Sequence, residues 1–121
     1  MDEALWKKYI PMTETIYYTL LAVMYPRHGY AIIQYVDTLT KGRIILGTGT
    51  LYTMVGRLAA DGVITTVPGS EKKTYRLTDA GMGLLRKETE RLRMQLEDGQ
   101  KILAGGVSAV LDMENTYGAI H

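Results

Sequence analysis

The side chains of this chain that could do chemistry are hydroxyls and cations. It has nine Tyr and no Cys, and its two His, His28 and His121, stand far apart. A thiol nucleophile, a thiolate metal site and a disulfide are therefore excluded. No carboxylate lies at a spacing that would pair it with His28 on one face, and neither Ser70 nor Ser108 has a plausible base. Gly47-Thr48-Gly49 lacks the Lys-Ser/Thr ending and the preceding buried strand of a phosphate loop. Neither an enzyme, a bound metal nor a cofactor is expected. What does concentrate is the run Thr48-Gly49-Thr50-Leu51-Tyr52-Thr53 with Arg57 soon after, and the pair Lys72-Lys73 between two β-like runs. Hydroxyls donate to phosphate oxygens and reach base edges, and lysines neutralise phosphate.

The formal charge of +1 gives no global argument for a polyanionic partner. Its distribution does, because residues 27–76 sum to +4, residues 1–26 to −1 and residues 77–121 to −2. The basic excess lies in the segment that carries the hydroxyl-rich run and the paired lysines. With 121 residues, 46% apolar and 22% charged, the composition is that of an ordinary globular chain rather than a disordered one. No apolar run approaches the ~20 residues that cross a bilayer. The first residues also lack the basic-then-apolar order of a signal peptide. No membrane partner and a cytoplasmic location are expected.

The elements that must position these groups follow from periodicity and turn residues. Residues 3–9 suit a short helix carrying Trp6, stopped by Pro11. Thr13 caps a helix with the stripe Ile16, Leu20, Val23 and Met24, ended by Pro26. A helix opens near His28-Gly29, buries Ile32, Val36 and Leu39, and closes at Lys41-Gly42. Arg43-Ile44-Ile45-Leu46 reads as a short strand. Thr48 then caps a helix with Leu51, Val55 and Leu58 inward, and Gly62 suits the left-handed residue after it. Residues 63–67 and 73–77 form a hairpin around Pro68-Gly69-Ser70-Glu71-Lys72. Thr78 or Asp79 caps a long helix to about Leu103, Gly105-Gly106 breaks it, and the remainder is a loose end.

This order is mainly α, of the α+β type, and is the winged helix-turn-helix arrangement with a two-stranded wing. Residues 1–78 make the winged-helix domain with its N-terminal helix, and residues 79–121 a C-terminal dimerisation helix and tail. In such a module the helix after Thr48 can enter a major groove ~12 Å wide while the hairpin tip reaches the backbone. Its outward face carries Gly49, Tyr52, Thr53 and Gly56, flanked by Thr50 and Arg57. Gly56 costs ~1 kcal/mol against Ala in a helix interior. It serves either a close approach to a duplex or a contact with protein.

Four stretches together resemble the PadR-like transcriptional regulators. They are Met12 to Leu21 (MTETIYYTLL), Pro26-Arg27-His28-Gly29-Tyr30, Gly47-Thr48-Gly49-Thr50-Leu51-Tyr52, and Lys73 to Gly81 (KTYRLTDAG). The resemblance covers about residues 12–104. It implies a homodimeric winged-helix repressor that binds an inverted repeat in double-stranded DNA. By position it implies DNA contacts from Tyr18, His28, Tyr30, Thr50, Tyr52 and Thr53, with Lys72 and Lys73 on the wing. Thr48, which caps that helix, and Arg57, which could brace it instead, join that set. Some relatives bind small aromatic effectors near the long helix.

Dimerisation has an independent basis. Met82, Leu85, Thr89, Leu92, Leu96, Gly99 and Leu103 alternate at spacings of three and four, a coiled-coil-like seam. The other faces carry charges, Arg86, Lys87, Glu88, Glu90, Arg91, Arg93, Glu97 and Asp98 among them. Trp6, Tyr9 and Ile10 are expected to clamp the partner's long helix, with Leu85, Leu92, Leu96 and Leu103 in the seam. Two other classes remain open at this point. One is a winged helix used for protein contact alone; the other is a ligand sensor with Trp6, Tyr9 and Met94 lining a cavity.

Overall fold

The structure, a computed structural model, describes the backbone of residues 3–120 and the side chains of residues 3–118. His121 lies outside the described residues. The element order is α1 (Glu3–Tyr9), α2 (Glu14–Ala22), β1 (Arg27–His28), α3 (Gly29–Thr40), α4 (Thr48–Ala60), β2 (Ile64–Val67), β3 (Thr74–Leu77) and α5 (Asp79–Ile120). The chain forms two compact units, residues 1–88 and residues 89–121.

The first unit is a winged helix. Its core is built from the inward stripes of three helices: Leu20 and Val23 at α2, Ile32 and Val36 in α3, and Leu51, Val55 and Leu58 in α4, all fully or nearly fully buried. Val63, Ile64, Tyr75 and Leu77 close it from the wing. In β3 the alternation is strict, with Tyr75 and Leu77 inward and Arg76 outward. Two stripes differ from expectation at their ends. Met24 is exposed because Val23 ends α2, and Leu39 is exposed while Thr40 takes the buried position one residue on. Thr40 can be buried because its hydroxyl donates to the Val36 carbonyl and accepts the Ile44 N–H.

The caps explain the boundaries. Thr13 accepts from Ile16 N–H at the start of α2. His28 caps α3, its Nδ1 accepting from Ala31 N–H at 3.3 Å. At α4 the cap is Gly47, with no side-chain hydrogen bond, so Thr48 is the first helical residue rather than the cap. Thr78 receives Gly81 N–H and donates to the Gly62 and Val63 carbonyls, tying the start of α5 to the turn before β2. A Cβ on Gly81 would run into the Val63 carbonyl oxygen and Leu77 Cδ1, so only glycine fits there.

The sheet has three antiparallel strands in the order β1-β3-β2. Arg43–Leu46, expected as a strand, joins no ladder. The strand that pairs β3 on its other side is instead Arg27–His28, in register with Tyr75 and Thr74. Arg27 is fixed there by donating from Nε to the Ala22 carbonyl and by lying 4.1 Å above the Tyr35 ring. Two residues after a proline carry no periodicity, which is why this strand is invisible in the sequence.

Helix α1 belongs to this unit. Tyr9 is buried and its hydroxyl donates to Asp61, at the end of α4, which also pairs with Lys8. Burial, reinforced by the Asp61 carboxylate, pushes the Tyr9 phenol up to about 12. The Lys8 and Tyr9 hydrogen bonds hold the Asp61 carboxyl below its ordinary range. Lys87 lies 4.2 Å above the Trp6 ring. Glu88, expected on a solvated face, is 1% exposed and accepts Met12 N–H at 2.8 Å.

In the second unit, α5 continues to Ile120, so the expected loose end is helical. The glycine pair does interrupt it: Gly106 adopts φ 61° and ψ −149°, outside helical values. Arg93 bridges Glu90 and Glu97 along the exposed surface, and these bonds hold the Glu90 carboxyl down. Leu92, Leu96, Gly99 and Leu103 line one groove together with Gln95 and Gln100.

Candidate nucleic-acid interface

The outward face of α4 divides into two flanks, and each borders a cleft in the first unit. One cleft, about 560 Å³ and open to solvent, is lined by Tyr52 and Gly56 of α4, His28, Gly29 and Tyr30 at the start of α3, and Lys72, Lys73 and Tyr75 of the wing. The other is lined by Gly49, Thr50, Thr53, Met54 and Arg57 of α4 with Thr13, Thr15 and Ile16 at the start of α2. Helical geometry makes this division, since Tyr52 and Gly56 are four residues apart on one edge, and Thr50, Thr53 and Arg57 follow the other.

Several polar groups of the two flanks are uncommitted. The Tyr30, Thr50, Tyr52 and Thr53 hydroxyls make no hydrogen bond among the described residues, and Lys72 and Lys73 make no ion pair there. Tyr30 is 62% and Tyr52 52% exposed, which is high for phenol rings with no packing partner on their outer sides. The Gly47 cap leaves the first N–H groups of α4 without a side-chain acceptor. Such a helix start favours an anion. Inside the cleft Tyr75 is buried, and burial first, then the nearby Tyr52, raise its phenol.

Most of the residues singled out in the sequence thus meet on one surface: His28, Tyr30, Thr50, Tyr52, Thr53, Arg57, Lys72 and Lys73. Tyr18 does not join either cleft. Its ring stacks edge-on against Tyr17 and its hydroxyl accepts from Arg43 at 3.3 Å. Thr48 is exposed at the first position of α4 and lines neither cleft. His28 contributes to the wall, but its Nδ1 is committed to capping α3. Gly29 and Tyr75 in the first cleft and Thr13, Thr15, Ile16 and Met54 in the second were not expected as site residues, whereas Gly49 and Gly56 were expected on the outward face of α4. Strand alternation could have found Tyr75, whose inward register is legible in Thr74-Tyr75-Arg76-Leu77.

The residues expected at a dimer contact separate as well. Tyr9 and Leu85 are buried inside the first unit, at 4% and 3% exposure, and have no surface left to offer a second chain. Within the chain, Tyr9 anchors α1 to α4 and Leu85 fills the core under α5. Trp6 is half-buried beneath Lys87. Leu96 and Leu103 are 60% and 84% exposed, and Leu92 is half-buried.

Residues 19–87, more than half of the chain, match the transcriptional regulator PadR-like family. The chain belongs to that family. The match runs from α2 through the wing to the first turns of α5. A PadR family transcriptional regulator from Eggerthella lenta is 26% identical, with a TM-score of 0.62 over 76% of this chain and 83% of its own. A transcriptional regulator from Clostridium thermocellum has a TM-score of 0.62 at 20% identity, covering 84% of this chain and 96% of its own. A transcriptional regulator from Thermoplasma acidophilum has a TM-score of 0.56 at 22% identity, over 74% and 89%. The latter two show the fold alone. No curated protein matches. As a PadR-like regulator the chain belongs to a family of regulators rather than of enzymes.

Proposed function

We propose that this PadR-like protein is a homodimeric, sequence-specific DNA-binding repressor acting in the cytoplasm on an inverted-repeat operator. The observation that carries the reading is the surface shared by α4 and the wing, where free hydroxyls, two unpaired lysines and an open helix start converge. In this reading α4 enters the major groove. Tyr52 and Thr53 reach base edges, Thr50 and the first N–H groups of α4 meet one phosphate, and Lys72 and Lys73 meet another across the groove. Tyr30 and Arg57 border the same track, and Tyr18 and Thr48 contribute at its margin.

The dimer rests on a separate observation. Leu92, Leu96 and Leu103 line an apolar groove on α5 that no described residue of the second unit covers. A second copy would bury it along a seam of three and four spacings. Release by a small aromatic effector is part of the proposal, and Trp6, half-buried on α1 beside Lys87, is the probe that would report it. Its quenching by such compounds is read without interference because it is the single Trp.

Nuclease footprinting on the DNA upstream of the chain's own reading frame tests the operator reading. The expected result is two protected half-sites related by a dyad, about 34 Å or a multiple apart. A single unpaired protected patch, or none, contradicts it.

A further inference from the structure

Gly29 is the first residue of α3, directly after the His28 cap, and is buried. A Cβ built on it lies 2.8 Å from the Tyr52 hydroxyl oxygen, 3.0 Å from Cζ and 3.1 Å from Cε1. The phenol of Tyr52 therefore rests against the bare backbone at the start of α3, while the rest of the ring is exposed. Gly29 has no positive φ, so backbone conformation does not demand glycine there. Its lack of a side chain is explained by what lies on it. One turn along α4 from Tyr52, a Cβ at Gly56 would meet no described atom within 4 Å. The ring is thus seated on one glycine, in the cleft that Lys72 and Lys73 also line.

We infer that Gly29 is a positioning residue for DNA readout: by leaving a seat for the Tyr52 phenol, it fixes the direction in which α4 presents that side chain to a duplex. The inference rests on the proposed DNA-binding function and adds a specificity determinant that itself faces no base. Alanine at 29 would not strain the backbone, and alanine is the better helix former. The atoms it would displace are the far end of a side chain rather than main chain. The Tyr52 ring must then leave its seat while α3 and α4 stay in place.

The test is a cycle of Gly29→Ala, Tyr52→Ala and the double variant in the full chain. Ring resonances of Tyr52, assigned by their loss in Tyr52→Ala, are read without DNA. Affinities are read for the footprinted duplex and for a shuffled one. Gly29→Ala is expected to shift the Tyr52 resonances and to lower the ratio of specific to shuffled binding about tenfold, the scale of one lost base contact. In the Tyr52→Ala background the same change is expected to have no effect on that ratio. Unmoved resonances overturn the inference, as does an equal loss in the Tyr52→Ala background. If Gly29→Ala fails to fold, recovery of a cooperative melt in the double variant supports the steric seat, and no recovery overturns it. Absence of specific binding by the unmodified chain refutes the DNA reading instead, and the resonances still decide whether Gly29 seats Tyr52.

Discussion

Tyr52 and the lysine pair have different physical work to do. Tyr52 stands half-exposed on α4 with a free hydroxyl, whereas Lys72 and Lys73 are compact charges on the wing. Tyr52→Ala is expected to cost about 1–3 kcal/mol of specific binding and leave binding to a shuffled duplex unchanged. Lys72→Ala with Lys73→Ala should weaken both duplexes alike and lower the salt slope by about 1 per lysine. A changed sequence preference in the double lysine variant would show that the wing reads bases. Tyr9 makes a pH prediction. Its folded pKa is raised to about 12, so its contribution to stability is complete below the unfolded value of 10.0 and is lost as the pH rises between the two. Melting temperatures should fall through that window, and Tyr9→Phe, which cannot ionise, should flatten the fall. The pattern of hydroxyls at 48–53 was readable from residue types alone. The seat under Tyr52 was not, because residues 29 and 52 meet only once α3 and α4 have packed.

Among the elements, helices and wing followed from short-range rules: apolar spacing, capping by Thr13 and Thr78, and the turn around Pro68-Gly69. Three of the misread positions depend on a distant partner. Arg43–Leu46 has strand-like residues but pairs with no strand, whereas Arg27–His28 becomes a strand because β3 lies beside it. Glu88 reads as solvent-facing by its charge but is buried, with the Met12 N–H donating to it. Glu88→Ala should therefore leave a polar group unpartnered and cost about 1–3 kcal/mol in denaturant unfolding, unlike alanine at the exposed Glu90 or Glu97. The final Gly of the Lys73 to Gly81 motif is likewise structural. Gly81→Ala should cost about 1–3 kcal/mol by forcing α5 off the Val63 carbonyl. An unchanged melt would show that α5 can shift without loss.

For the whole molecule, the charge of +1 conceals a basic segment and two acidic ones, and the structure puts basic and hydroxyl groups of the middle segment on one surface. The expected seam on α5 is only partly available, since Leu85 belongs to the core and Leu92, Leu96 and Leu103 remain. Sedimentation of Leu96→Asp should therefore give a monomer that keeps the melt of the first unit, while an intact dimer would refute the seam. The claim that organises the rest is sequence-specific binding of DNA by the surface of α4 and the wing. Its most direct test is titration of the labelled upstream duplex against a shuffled duplex of equal length, at two salt concentrations. Tighter binding of the upstream duplex is expected at both, with affinity for each falling as salt rises. Equal affinity for the two duplexes, or none for either at low salt, would contradict it.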